Sequence, residues 1–147
     1  MSVQSEALDA AFALITRELE PLGVEVLRDE FIPQRIPPAG LVIFHFGETG
    51  EPDITLNPRS EYYQHRAAVE IYALTPLTPL PTKEDIIYSI YNTIERAINN
   101  DPGLGGRAIF SRADILELDT LDIDGAPEIL SGTFSFIIEY ETQDLLA

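Results

Sequence analysis

Leu8, Ala11, Phe12, Ile15, Leu19 and Leu22 recur at helical spacing. The pattern predicts an amphipathic helix over about residues 5–20. Ser5 or Ser2 can cap its start, and Pro21 with Gly23 stops it. Val24-Glu25-Val26-Leu27 reads as a short strand. Pro33, Pro37, Pro38 and Gly40 mark an irregular connection that cannot be a central strand. Leu41 to Phe46 is apolar on both faces and reads as a central strand. Gly47 to Asp53 is an acidic loop, and Ile54-Thr55-Leu56 is a brief pairing segment before a much longer strand.

That long strand runs through Tyr62-Tyr63-Gln64-His65-Arg66-Ala67-Ala68-Val69-Glu70-Ile71-Tyr72. Side chains alternate with period two, so Tyr63, His65, Ala67, Val69 and Ile71 share one face. That face turns apolar toward its C-terminal half, as a core face does. Tyr62, Gln64, Arg66, Ala68, Glu70 and Tyr72 share the other, which keeps charges and two phenols and suits solvent or a partner.

Thr75 to Pro81 holds three prolines and is a stiff loop. Thr82 followed by Asp85 is a capping-box pattern with Asp in place of Glu. Ile87, Ile90, Tyr91, Ile94, Ala97 and Ile98 then form one apolar stripe, and Asn99 to Gly103 ends this second helix. Two strands follow, over about 107–118 and 130–141, with a turn signal at Asp124-Gly125-Ala126-Pro127. In the last strand Phe134, Phe136, Ile138 and Tyr140 share a face. The order is α-β-β-(β)-β-α-β-β, an α+β class: a mostly antiparallel sheet of about five strands with two helices on one face. No linker, repeat or low-complexity segment interrupts residues 1–147, which reads as one domain. The second sheet face, with Tyr62, Arg66, Tyr72 and Ile137, is too mixed for a core and too apolar for ordinary surface. Such a patch marks an interface.

Composition changes this picture in three ways. The net charge is -16, with one lysine and eight arginines, which argues against a protein that grips DNA phosphates. It leaves room for one that DNA slides past, because an acidic wall repels a polyanion. There is no cysteine, so disulfides, thiol catalysis and Cys-based zinc sites are excluded. The N-terminus lacks a signal-peptide pattern, and no apolar run approaches the roughly 20 residues that span a bilayer. The expectation is a soluble protein made in a cytoplasm.

Candidate chemistry is sparse. His45 and His65 are the only histidines, both in predicted strands, and they read as packed or hydrogen-bonded rather than as general bases. Thr120 to Gly125 has the look of a calcium loop, but position one is Thr120, position twelve is Ser131 and no helices flank it. Gly103-Leu104-Gly105-Gly106 lacks a following Lys-Ser or Lys-Thr and reads as a helix end and turn. No serine sits in a Gly-x-Ser-x-Gly elbow. No catalytic, cofactor or metal residue is assigned, and no enzyme activity is expected. Arg59, Tyr62, Tyr63, Arg66 and Tyr72 are interface candidates, since Tyr and Arg are enriched where proteins dock. Cross-strand packing with salt bridges accounts for the same cluster.

Gly50-Glu51-Pro52, then Thr55-Leu56-Asn57-Pro58, then Tyr62-Tyr63-Gln64-His65-Arg66-Ala67 carry a resemblance. The block is similar to the tail terminator proteins of long-tailed, siphovirus-like phages and gene transfer agents. Leu104-Gly105-Gly106 and Tyr140-Glu141-Thr142 extend it more weakly, and the element order follows it over about 5–145. The resemblance implies a structural virion protein forming a hexameric ring. That ring would cap the tail tube, end its polymerisation and form the tail side of the head-tail joint. Its implied partners are further copies of the chain, the major tail tube protein and a head-completion connector. DNA would pass without specific binding, and no membrane would be involved. The implied location is the neck end of the tail, with the host cytoplasm during assembly. Glu48, Glu51 and Asp53 in the first acidic loop, and Asp119, Asp122 and Asp124 in the second, are candidates to face the lumen or a docking partner. A head-completion or neck protein is the alternative of the same kind. A small hydrolase or acyl-transfer enzyme using His65 or His45, and a soluble binding module using the Tyr-Arg face, are alternatives of other kinds.

Overall fold

The computed structural model of the chain describes residues 3–29, 36–47, 53–56, 59–74, 82–121 and 129–142. In chain order they form α1 (Val3–Leu19), β1 (Glu25–Arg28), β2 (Leu41–His45), β3 (Asp53–Leu56), β4 (Arg59–Leu74), α2 (Lys83–Asn100), β5 (Phe110–Ala113), β6 (Glu117–Leu121) and β7 (Ile129–Thr142). The class is α+β, as the periodicities require, and both helices pack on one sheet face.

β4 and β7 pair antiparallel along almost their whole length, from Glu61 opposite Thr142 to Leu74 opposite Ile129. Each is flanked on its other side by two short strands end to end. β2 and β3 lie along β4, and β5 and β6 lie along β7. β1 adds outside β2, in parallel. The sheet therefore has seven strands, against about five expected, because both flanking positions are interrupted.

The interruptions follow from register. β5 pairs Ala113 with Phe136, whereas β6 pairs Glu117 with Thr133. Residues 114–116 thus face only residues 134 and 135, and the extra residue is a β-bulge that flips the alternation. The uninterrupted strand expected over 107–118 is corrected accordingly. Phe110 and Arg112 share one face with Glu117 and Asp119, not with Leu118. The bulge is held by the Asp114 N–H to the Ser135 carbonyl (2.8 Å) and by the Ile115 N–H to the Asp114 carboxylate (2.9 Å). On the other side, Gly47 follows β2 with φ +69°, and a Cβ there would lie 2.5 Å from the Arg66 carbonyl. Only glycine lets the chain leave β2 so close to β4.

α1 buries Ala7, Leu8, Ala11, Leu14, Ile15 and Leu19. It passes through a 3-10 turn containing Pro21 and ends at Gly23, φ +78°. α2 begins at the expected capping box: the Asp85 N–H donates to Thr82 Oγ1, and the Thr82 N–H to Asp85 Oδ2, both at 3.1 Å. It buries Ile87, Ile90, Ile94, Ala97 and Ile98. The facing sheet surface is Val42 and Phe44 of β2, Ala67, Val69, Ile71 and Ala73 of β4, and Leu130, Phe134, Phe136 and Ile138 of β7. Phe44 is the hub, edge-on to Phe12, Phe46 and Phe136 at 5.2–6.1 Å between centroids. Burying each such ring stabilises the fold by roughly 1.5–3 kcal/mol. Gly132 leaves room for α2, since a Cβ there would lie 2.8 Å from an Ile87 methyl. The proline loop before Thr82 and the turn signal at 124–127 lie outside the described residues.

Candidate interaction surface

The sheet register fixes which side chains meet on the face away from the helices. Arg66, Ile137 and Arg112 form one row across β4, β7 and β5. Ile137 is buried between the two arginines, whose aliphatic stems flank it as directly opposed residues do. Arg66 continues to Asp114 at 3.8 Å, an exposed pair that stabilises little. The next row holds Gln64 and Glu139, bonded at 3.4 Å, and Phe110. Beyond it Tyr62, 37% exposed, opposes Glu141.

The other end of this face is closed. Leu41, Ile43, Tyr72 and Ile129 form a second buried cluster, with Leu27, Ile36 and Leu74 against it. Tyr72 is only 5% exposed, and its hydroxyl donates to Glu70 Oε2. Burial, then the Glu70 hydrogen bond and charge, hold the phenol well above its ordinary pKa. The other Glu70 oxygen accepts from His45 Nε2. The five interface candidates therefore do not form one patch. Tyr62 and Arg66 are exposed on the outer face, and Tyr72 is buried within it. Tyr63 lies on the helix face, stacked on Tyr140 at 5.2 Å. Arg59 opens β4, and its side chain lies outside the described residues. Of the acidic candidates, Asp119 is exposed on β6 and Asp53 opens β3. Glu48, Glu51, Asp122 and Asp124 lie outside the described residues.

The histidines are on opposite faces. His65 is fully buried on the helix side, and its Nε2 donates to the Phe46 carbonyl. His45 is on the outer face with Glu70. Ser135 shares the His45 row but sits two strands away, roughly 10 Å at normal strand spacing. No group of three metal-ligating side chains occurs among the described residues. A cleft of about 430 Å³ lies between α1 and the turn after α2. It is lined by Glu6, Asp9, Arg17, Asp101 and Arg107 among others, with no histidine or hydroxyl nucleophile. Its carboxylates answer its arginines, as in Arg107 to Glu6 at 3.6 Å.

The strongest feature was hidden in the sequence. Ile109, Phe110 and Ile115 are 51%, 44% and 79% exposed, and all three line the β5 edge of the sheet. Arg112 stands among them, exposed, with no ion pair among the described residues. An edge strand already offers unpaired backbone groups to a partner. The available signal was that neither alternation of 107–118 gives an apolar face. Behind this edge the Tyr91 hydroxyl donates to the Asp114 carbonyl (2.7 Å), with Glu95 Oε2 at 3.1 Å. Burial and then the Glu95 contact push its pKa up to about 12. The edge is thereby tied to α2. No helix among the described residues is long and apolar enough to cross a membrane. The chain matches no protein-family model, and no curated protein sequence matches it.

Proposed function

We propose that the chain is a structural subunit of the tail terminator kind. It closes into a ring, hexameric as in the family it resembles, and caps the tail tube of a long-tailed phage or gene transfer agent. It ends tube polymerisation and forms the tail side of the head-tail joint. The observation that carries this reading is the β5 edge: three exposed apolar side chains around Arg112, which has no ion pair among the described residues, at the end of the described sheet. That is the chemistry of a protein-docking surface. The separation of His45 from His65 across the sheet supports a role without catalysis. The charge of -16 supports a wall past which DNA moves without adhering. The partners are then further copies of the chain, the tube protein and a head-completion connector, with assembly in the host cytoplasm and residence in the virion neck.

The test is polymerisation of the cognate tube protein with and without this chain. Capping gives tubes that stop growing and carry a ring of this chain at one end. Tubes of unchanged length with no bound chain overturn the proposal, as does a catalytic turnover that disappears in well-folded His65→Gln.

A further inference from the structure

The sheet ends in two unlike edges. Beyond β7, the β5 edge presents Ile109, Phe110 and Ile115 with the exposed Arg112. At the opposite edge, beside β1, a cleft of about 260 Å³ opens between the start of α2 and the chain entering β1. Its walls are apolar: Leu22, Val24, Ala39, Ile86 and Ile90. Leu22 is half exposed at its mouth. Its polar lining is Asp85 and Ser89, and exposed Glu20, Glu25 and Glu84 stand near it in the chain, with Lys83 the one cation at that helix start. A cavity of about 150 Å³ lined by aliphatic side chains takes up benzene, so this cleft has room for a branched side chain and part of a neighbour.

We infer that the β5 edge of one copy docks head to tail on the β1-side cleft of the next, with Ile115 in the cleft and Arg112 toward its carboxylates. Size, polarity and charge all match. The apolar projection and the apolar recess sit at opposite edges of one sheet, and the exposed Arg112 meets an acidic rim. Asp114, next to Ile115, is already engaged by Arg66. Glu117 and Asp119 on β6 share the charge of the rim, which places the contact on the β5 half of the edge. Because two different surfaces meet, the contact is heterologous, and its repetition closes a ring or extends a filament. The inference rests on the ring reading and names the surfaces that would build the ring.

The chain has no cysteine, so engineered pairs report cleanly. Ile115→Cys and Leu22→Cys proteins are mixed, oxidised and resolved by mass, over a concentration series to the solubility limit and with the tube protein present. Ser89→Cys replaces Leu22→Cys if the latter misfolds. The expected predominant product is the mixed disulfide. Adding Arg112→Glu to the Ile115→Cys chain lowers its yield by about fivefold, the weight of one exposed charge pair. Predominant homodisulfides, no disulfide under any of these conditions, or indifference to Arg112→Glu overturns the inference. Tube capping without the mixed disulfide sinks only this contact. The mixed disulfide without tube capping keeps the contact and sinks the tail reading.

Discussion

The two faces of the β4–β7 sheet are made by the same strands and sealed by different physics. On the helix face the rows are filled mainly by aliphatic and aromatic side chains, and the buried polar residues there, His65 and Ser111, are bonded to the Phe46 and Pro102 carbonyls. On the other face, the Leu41, Ile43, Tyr72 and Ile129 end is buried, and beyond it Ile137 is covered in the row between Arg66 and Arg112. The rest is a grid of pairwise contacts: Arg66 with Asp114, Gln64 with Glu139, His45 with Glu70. The first kind of surface owes its strength to area and packing, which act cooperatively. The second is a sum of small solvated terms, and it can exchange its partners for those of another molecule at little cost. A surface that assembles is expected on the second kind.

The largest effect should come from the first face. Phe136→Ala removes a fully buried ring that meets Phe44 edge-on. It should destabilise the chain by about 3–5 kcal/mol, read from the midpoint of chemical denaturation. A loss below about 1 kcal/mol, the size of a surface change, would mean the helix layer is not the stabilising one. Gly132→Ala probes the same layer by overfilling it. The new methyl meets Ile87 and Leu116, both under 3 Å from the ideal Cβ position. The expected loss is about 1–3 kcal/mol, with α2 displaced outward. Proton exchange of the α2 amides should rise with it.

The contrast between faces also explains what could be read in advance. Helical and strand periodicities report burial of one continuous face, so α1, α2 and the parity of β4 and β7 were legible from Leu8, Ile15, Ile87, Ile94, Val69 and Phe136. The interrupted edge was not. One extra residue among 114–116 reverses the alternation between Arg112 and Glu117, and a periodic reading averages over the break. Nor could the His45–Glu70–Tyr72 contact be seen. It depends on the register of β2 on β4, set by how the chain leaves β2 at Gly47. Tyr72 was expected to be exposed because its strand neighbours are polar. Its actual surroundings come from β2 and β7, far away in sequence. The exposed β5 edge escaped for a related reason: which strand lies outermost is a property of topology, not of local pattern.

Tyr91 joins the buried layer to the β5 edge, and its ionisation should loosen that joint. The unfolded phenol ionises near about 10, whereas in the fold burial and Glu95 push it up to about 12. The folded state favours the protonated form, so the contribution is fully present below the unfolded value. It is lost as pH rises from there through the folded value. Tyr72 is raised in the same sense and adds to the slope. Alkaline unfolding should therefore track tyrosinate absorbance, and Tyr91→Phe should flatten that part of the profile. At neutral pH the same variant should lose about 1 kcal/mol, because the Asp114 carbonyl forfeits its donor. An unaltered alkaline profile in Tyr91→Phe would show that the joint does not depend on this proton.

The smallest expected effect is on the second surface, and its smallness is the point. Ile115 is 79% exposed at the bulge, so the fold buries little of it. Ile115→Ser removes several apolar carbons yet should leave stability within about 0.5 kcal/mol of the parent, as surface changes do. The bulge itself is secured by backbone bonds at Asp114 and by the Asp114 carboxylate to the Ile115 N–H, none of which uses the isoleucine side chain. An isoleucine kept in water at a sheet edge contributes little to the monomer, which is why it probes the proposed contact and not the fold. The double reading is denaturation of the isolated chain beside its assembly. Unchanged stability with impaired assembly separates the two faces by role. A loss of 2 kcal/mol or more, the order expected of a buried aliphatic truncation, would place Ile115 in the core after all and erase the distinction.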